Sequence, residues 1–121
     1  MTRTGRAYTP AKTRQYETYA RLVAQQEMRG RRPLEGALHM KLRVDLAIPS
    51  SWSKKKQQAA LVGEIHPCVK PDIDNFIKAI ADSLAGVVFA DDKQVVSVSA
   101  AKRYAEIPKM VVTIEQVGAP A

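Results

Sequence analysis

KPDIDNFIKAIADSLAG, residues 70–86, decides the reading of this chain. Ile73, Phe76, Ile77, Ile80, Ala81 and Leu84 recur at helical spacing on one face. Asp72 stands at the N-cap position, Asp74 falls in the first turn, and Gly86 supplies the stop signal. The stretch predicts an amphipathic helix whose start carries two carboxylates. Lys78 follows Asp74 by four residues, one turn along the polar face. Taken alone, these residues are explained by a capped surface helix with one ion pair.

Downstream, Val87-Val88-Phe89 leads into a turn at Ala90-Asp91-Asp92. Val95–Tyr104 and Lys109–Val117 then read as two strands around a short loop holding Pro108, expected to form a hairpin. Upstream, Glu64–Pro71 is a connection, and Ser51–Ser53 cap a short basic helix from Lys54 to about Val62, stopped by Gly63. Leu38, Met40, Leu42, Val44, Leu46 and Ile48 alternate with His39, Lys41, Arg43, Asp45 and Ala47, a strand that ends at Pro49. Thr9-Pro10 opens a helix over about 10–28, with an imperfect apolar stripe of Tyr16, Ala20, Leu22, Val23 and Met28. Residues 1–8 read as a basic arm. The order of elements predicts an α/β (α+β) fold: a small mixed β-sheet with helices packed on one face, in a single domain over 1–121.

Composition narrows the function classes. At 45% hydrophobic and 26% charged, the chain has globular composition. Its single cysteine, Cys68, excludes an internal disulfide framework. No apolar run approaches the roughly 18 residues of a membrane span, and MTRTGRAYTP lacks the apolar core of a signal peptide. A cytoplasmic location is expected. The net charge of +7 points to nucleic acid or another anionic partner, with a merely solvated basic surface as the alternative. Lysines and arginines are spread along the chain. The aspartates, apart from Asp45, all fall at 72, 74, 82, 91 and 92. A basic body with one acidic focus suits a metal-using nuclease.

If the chain folds back after the helix, Asp92 comes beside Asp72 and Asp74. Three carboxylates together repel unless a cation neutralises them. Mg²⁺ takes hard oxygen ligands, keeps waters and can engage a phosphate. Phosphodiester hydrolysis is the reaction that fits, with Lys78 offsetting charge on the transition state. Turn chemistry accounts for one of Asp91 and Asp92 well and for two less well. His39 falls in a strand and reads as structural. His66-Pro67-Cys68 lacks the further ligands of a zinc site. The absence of a glycine-rich phosphate loop argues against nucleotide hydrolysis.

KPDIDNFIKAIADSLAG followed by VVFADDKQVVSVSAAKRY, residues 70–104, resembles the central signature of the RusA family of crossover junction endodeoxyribonucleases. GRAYTPAKTRQYE at 5–17 resembles the family's first helix and its approach, through Tyr8, Thr9, Pro10, Lys12, Thr13 and Tyr16. The resemblance implies a homodimeric resolvase of phage and prophage type, dependent on Mg²⁺ with Mn²⁺ as an alternative. Such an enzyme nicks opposite strands of a four-way junction in DNA recombination and repair. It implies metal ligands at Asp72, Asp74 and Asp92, a catalytic lysine at Lys78, and support from Asp91, Asn75 and Gln94. Relatives often carry lysine at the position of Lys102. Lys54, Lys55 and Lys56, in what looks like a local insertion, are candidate DNA contacts together with Lys70, Lys102 and Arg6. Relatives usually begin with an extra strand before the GRAYTP-like region, and this chain starts almost at that point, so that strand is expected to be absent.

Two other readings stand beside the resolvase. One is a nuclease selective for flaps or forks. The other is a non-catalytic nucleic-acid-binding module in which the aspartates only cap a helix and build a turn. Convergence of Asp72, Asp74 and Asp92 separates enzyme from module, because three carboxylates facing phosphate would weaken a module's binding.

Overall fold

The computed structural model describes residues 2–6 and 13–118, with side chains from residue 17 onward. In chain order these hold β1 (Thr2–Arg6), α1 (Thr13–Glu27), β2 (Ala37–Ala47), α2 (Lys54–Leu61), α3 (Ile73–Leu84), a 3-10 turn (Asp92–Gln94), β3 (Val95–Ala105) and β4 (Lys109–Gly118). The architecture is α+β, a mixed sheet with helices against one face.

The alternation along β2 works as the sequence predicts. Leu38, Met40, Leu42 and Val44 point into the core, where Met110, Val112 and Ile114 of β4 join them. Phe76, Ala79, Ile80 and Leu84 of α3 close over this layer, as do Ala20 and Ala24 of α1 and Met28 just beyond it. Burying one such large side chain contributes about 1.5–3 kcal/mol. Leu22, counted in the apolar stripe, is exposed instead. It lies two residues, some 200°, from the Ala20 and Ala24 face.

The hairpin expected from β3 and β4 does not form. β2 lies between them, in the order β1-β4-β2-β3. β2 runs parallel to β3, from Leu38↔Val95 to Ala47↔Ala105, and antiparallel to β4, from Leu38↔Gln116 to Asp45↔Lys109. The loop at 106–108 therefore crosses the end of β2. A short loop suggests direct pairing, but β2, the strand with the most buried residues, gains most from a neighbour on each side.

The stretch expected as a basic arm also differs. Thr2–Arg6 pairs antiparallel with β4, from Thr2↔Glu115 to Arg6↔Val111. Backbone groups satisfy that edge whatever the side chains, so TRTGR needs no alternation to form a strand. The cap expected at Thr9-Pro10 lies outside the described residues, as does the side chain of Arg6.

The two ends of the parallel strands differ in what packs on them. At the C-terminal ends of β2 and β3 sit α2, the segment 62–71 and the start of α3. Trp52 meets Tyr104 edge-on with ring centroids 5.3 Å apart, and Lys102 Nζ donates to the Val69 carbonyl at 2.6 Å. At the N-terminal ends of the same strands lie the end of α3 and the 3-10 turn. There Gly86 takes φ +84°, the left-handed conformation that ends a helix. Arg21 Nη1 donates to the carbonyls of Ser83 at 3.1 Å and Ala85 at 3.4 Å, placing a cation on the last turn.

Candidate active site

The start of α3 carries the two carboxylates where the sequence places them. Asp72 is the N-cap residue, in extended conformation, but its side chain makes no capping hydrogen bond. Asp74 sits in the first turn. Asp72, Asp74, Asn75 and Lys78 are all exposed. The exposed helix start, with its unpaired N–H groups and positive dipole end, tolerates both negative charges and favours a bound phosphate. The link from Lys102 to Val69 ties the chain just ahead of Asp72 to β3.

Asp91 and Asp92 lie at the other end of α3 and divide the work between them. Lys93 N donates to Asp91 Oδ1 at 2.8 Å, so Asp91 caps the 3-10 turn. That backbone hydrogen bond is the main cause holding its carboxyl below the ordinary aspartate range. Asp92 is exposed and begins the turn. Gln94 locks the turn in place. Its Oε1 accepts from Ala90 N at 3.0 Å and Asp91 N at 3.1 Å. Its Nε2 donates to the carbonyls of Leu34 at 3.0 Å and Gly36 at 3.1 Å. All four hydrogen-bonding positions of the amide are thereby filled.

Within one chain Asp92 does not reach Asp72 and Asp74. Twelve residues of α3 rise about 18 Å, and the segment after the helix stays at its far end. Leu34 N donates to Val88 O at 2.7 Å, Gly86 N donates to Phe89 O at 2.7 Å, and Val88 and Phe89 are buried there. Among the described residues no group of three His, Cys, Asp or Glu side chains is gathered to hold a metal ion. The convergence expected from sequence is absent because the return segment is anchored before it can run back along the helix. The pair Asp72 and Asp74 still suits Mg²⁺, which commonly takes one or two protein carboxylates and fills its shell with waters and phosphate oxygens.

The candidate DNA contacts fall into different settings. Lys54, Lys55 and Lys56 are exposed on α2, which Ser53 caps by accepting from Lys56 N at 3.2 Å. Lys56 Nζ stands 4.0 Å from the centroid of the Trp52 ring, a cation–π contact. Lys70 is exposed. Lys102 is half-buried and its ammonium is engaged by Val69. His39 is held on the sheet, with Nδ1 2.7 Å from Ser97 Oγ and Nε2 3.4 Å from Ser99 Oγ. Cys68 is an exposed free thiol.

Sequence reading missed one constellation. Asp45, the lone aspartate outside the acidic stretch, is fully buried between Arg43 and Arg103. Arg43 two residues away on the same face of β2 was a legible half of the signal. Arg103 was not, because its contact depends on the parallel pairing of β2 with β3.

The family model described as Endodeoxyribonuclease RusA matches residues 1–115. A Bacillus subtilis (strain 168) protein, uncharacterized protein YqaN, is 38% identical over 112 residues, covering 91% of this chain and 78% of that protein. No helix among the described residues is long and apolar enough to cross a membrane. The signature at 70–104, the α+β fold and the family match agree, and the chain belongs to the RusA endodeoxyribonuclease family.

Proposed function

We propose that the protein is a divalent-metal-dependent, structure-selective endodeoxyribonuclease that resolves four-way DNA junctions by paired nicks, as a homodimer in the cytoplasm during recombination and repair. The observation that carries this reading is the exposed pair Asp72 and Asp74 at the start of α3, in a chain of net charge +7. A module that only binds DNA gains nothing from two exposed carboxylates facing phosphate.

Asp72 and Asp74 would hold the ion, Mg²⁺ or Mn²⁺. When bound, it supplies polarisation of a phosphoryl oxygen and a more acidic water. The first-turn N–H groups of α3 orient the phosphate beside it. Lys78, one turn along, offsets negative charge that builds on the phosphorane. Asp92 belongs to this reading through the dimer. A twofold axis presents two equal sites, and Asp92 of the partner subunit is the candidate third carboxylate at each helix start. Asp91 and Gln94 support it by shaping the turn, and Asn75 lies exposed beside Asp74.

The test is cleavage of a synthetic four-way junction by the purified protein with Mg²⁺ and with EDTA, beside linear duplex and flap substrates. Paired, metal-dependent nicks on the junction are expected. Cleavage of the flap in preference to the junction transfers the assignment to a flap nuclease, and binding without any cut overturns the nuclease reading.

A further inference from the structure

The face of the sheet away from the helices carries a built charge cluster with no role in the site above. Arg43 and Arg103 approach the same carboxylate side-on. Arg43 Nε donates to Asp45 Oδ1 at 3.0 Å and Nη2 to Oδ2 at 3.3 Å. Arg103 Nε donates to Oδ1 at 2.8 Å and Nη2 to Oδ2 at 3.4 Å. The Asp45 side chain is 0% exposed, whereas those of Arg43 and Arg103 are 35% and 54% exposed.

We propose that Arg43 and Arg103, held as a pair by Asp45, form a binding site for nucleic-acid phosphodiesters on the open face of the sheet. The identification of the polyanion as DNA rests on the nuclease reading. One arginine would neutralise Asp45. The second leaves one positive charge in excess, and exposed Lys41 and half-buried Lys109 share the face. Each guanidinium has five N–H donors and gives two to Asp45, so three on each are not given to it. A planar fork whose side chain is already ordered loses little entropy on meeting a phosphate. The rest of the face fits a hydrated polyanion rather than an apolar partner. Ser97 and Ser99 of β3 and Thr113 of β4 lie on it with one acidic residue, Glu115, and its apolar side chains on the paired strands are small, Ala101 and Val111 in the middle and Ala37, Ala47 and Ala105 at the strand ends.

Placement also favours a DNA strand. Arg103 lines an open cleft of about 480 Å³ at the C-terminal end of the parallel strands, together with His66, Lys102 and Glu106. Its neighbour Lys102 anchors Val69, three residues before Asp72. A backbone held at the arginine pair therefore lies at the end of the sheet where α3 begins.

The experiment is a salt titration of binding in EDTA, with the full chain and fluorescent four-way junction and duplex DNA read by anisotropy. The decisive variant is Asp45→Leu with Arg103→Leu, which leaves net charge unchanged and strands no buried carboxylate. With its fold verified by circular dichroism, it is expected to bind about tenfold more weakly. Arg43 alone keeps the one positive charge in excess, so log affinity against log salt is expected to keep its slope, which marks the loss as one of directed donors and not of charge. Wild-type affinity in the folded double variant overturns the proposal. Arg103→Lys keeps the charge and loses the fork, so affinity is expected to fall several-fold at unchanged slope. If the double variant does not fold, wild-type affinity in Arg103→Lys overturns the proposal. Junction nicking by the wild type with Mg²⁺ is scored separately. Nicking with no change in the variants' binding defeats the proposal and leaves the nuclease reading standing. The expected binding changes without wild-type nicking do the reverse.

Discussion

At the residue scale, the chemistry proposed for the start of α3 can be separated from stability. Asp72 makes no capping hydrogen bond, and asparagine is as good an N-cap as aspartate. Asp72→Asn and Asp74→Asn are therefore expected to change stability by less than about 1 kcal/mol. They are expected to abolish junction nicking while binding stays intact or tightens as repulsion falls. A nicking assay beside a gel-shift titration checks this, and joint loss of binding and nicking would assign the residues a structural role. Asp45 behaves in the opposite way. Burial alone would raise its carboxyl, but hydrogen bonds from Arg103 and Arg43 and their positive charges outweigh burial and hold it below the ordinary range. A carboxyl lowered by folding contributes stability above its unfolded value, about 3.9, and loses that contribution as pH falls through the folded value. Asp45→Asn is expected to destabilise the protein at pH 7 by about 2–3 kcal/mol, less than a fully buried pair because both arginines reach solvent. The difference from wild type should shrink as pH falls below about 4. Urea unfolding across pH, followed by Trp52 fluorescence, measures it.

At the element scale, the 3-10 turn is a short device held by one side chain. Gln94 satisfies two N–H groups inside the turn and two carbonyls of the 34–36 loop. Gln94→Ala is expected to lower stability by about 1–2 kcal/mol. Through the loosened position of Asp92, it should slow nicking with little change in junction affinity. A rate unchanged at saturating protein would confine Gln94 to folding. The helices were legible because their signals are local: Ser53 caps α2, Gly86 ends α3 in left-handed conformation, and the apolar face of α3 is continuous. Strand partners were not. The loop holding Pro108 is as short as a hairpin's, yet β2 intervenes, because pairing is decided by which strand is buried most deeply.

At the scale of the whole molecule, α3 works as a spacer. It puts the Asp72 and Asp74 pair at one end of the parallel strands and Asp92 at the other, about 18 Å of helix apart. A shared site in a twofold dimer has a sharp consequence. Asp74→Asn and Asp92→Asn are each expected to be inactive, and mixing and re-equilibrating the two should restore one intact site in every heterodimer, roughly a quarter of wild-type nicking. Sites contained in single chains would stay dead in the mixture.

By itself, the sequence determined the elements with local signals, the α+β class, the basic character and the identity of the carboxylates at the start of α3. Each depends on periodicity, capping or residue type, which act over a few neighbours. Only the tertiary structure decided which strands are neighbours, that Asp92 stays away from Asp72 and Asp74 within one chain, and that Arg103 shares Asp45 with Arg43. Those outcomes depend on how deeply β2 is buried and on where the 85–91 segment is anchored, and contacts across 58 residues of chain leave no periodic trace in the sequence.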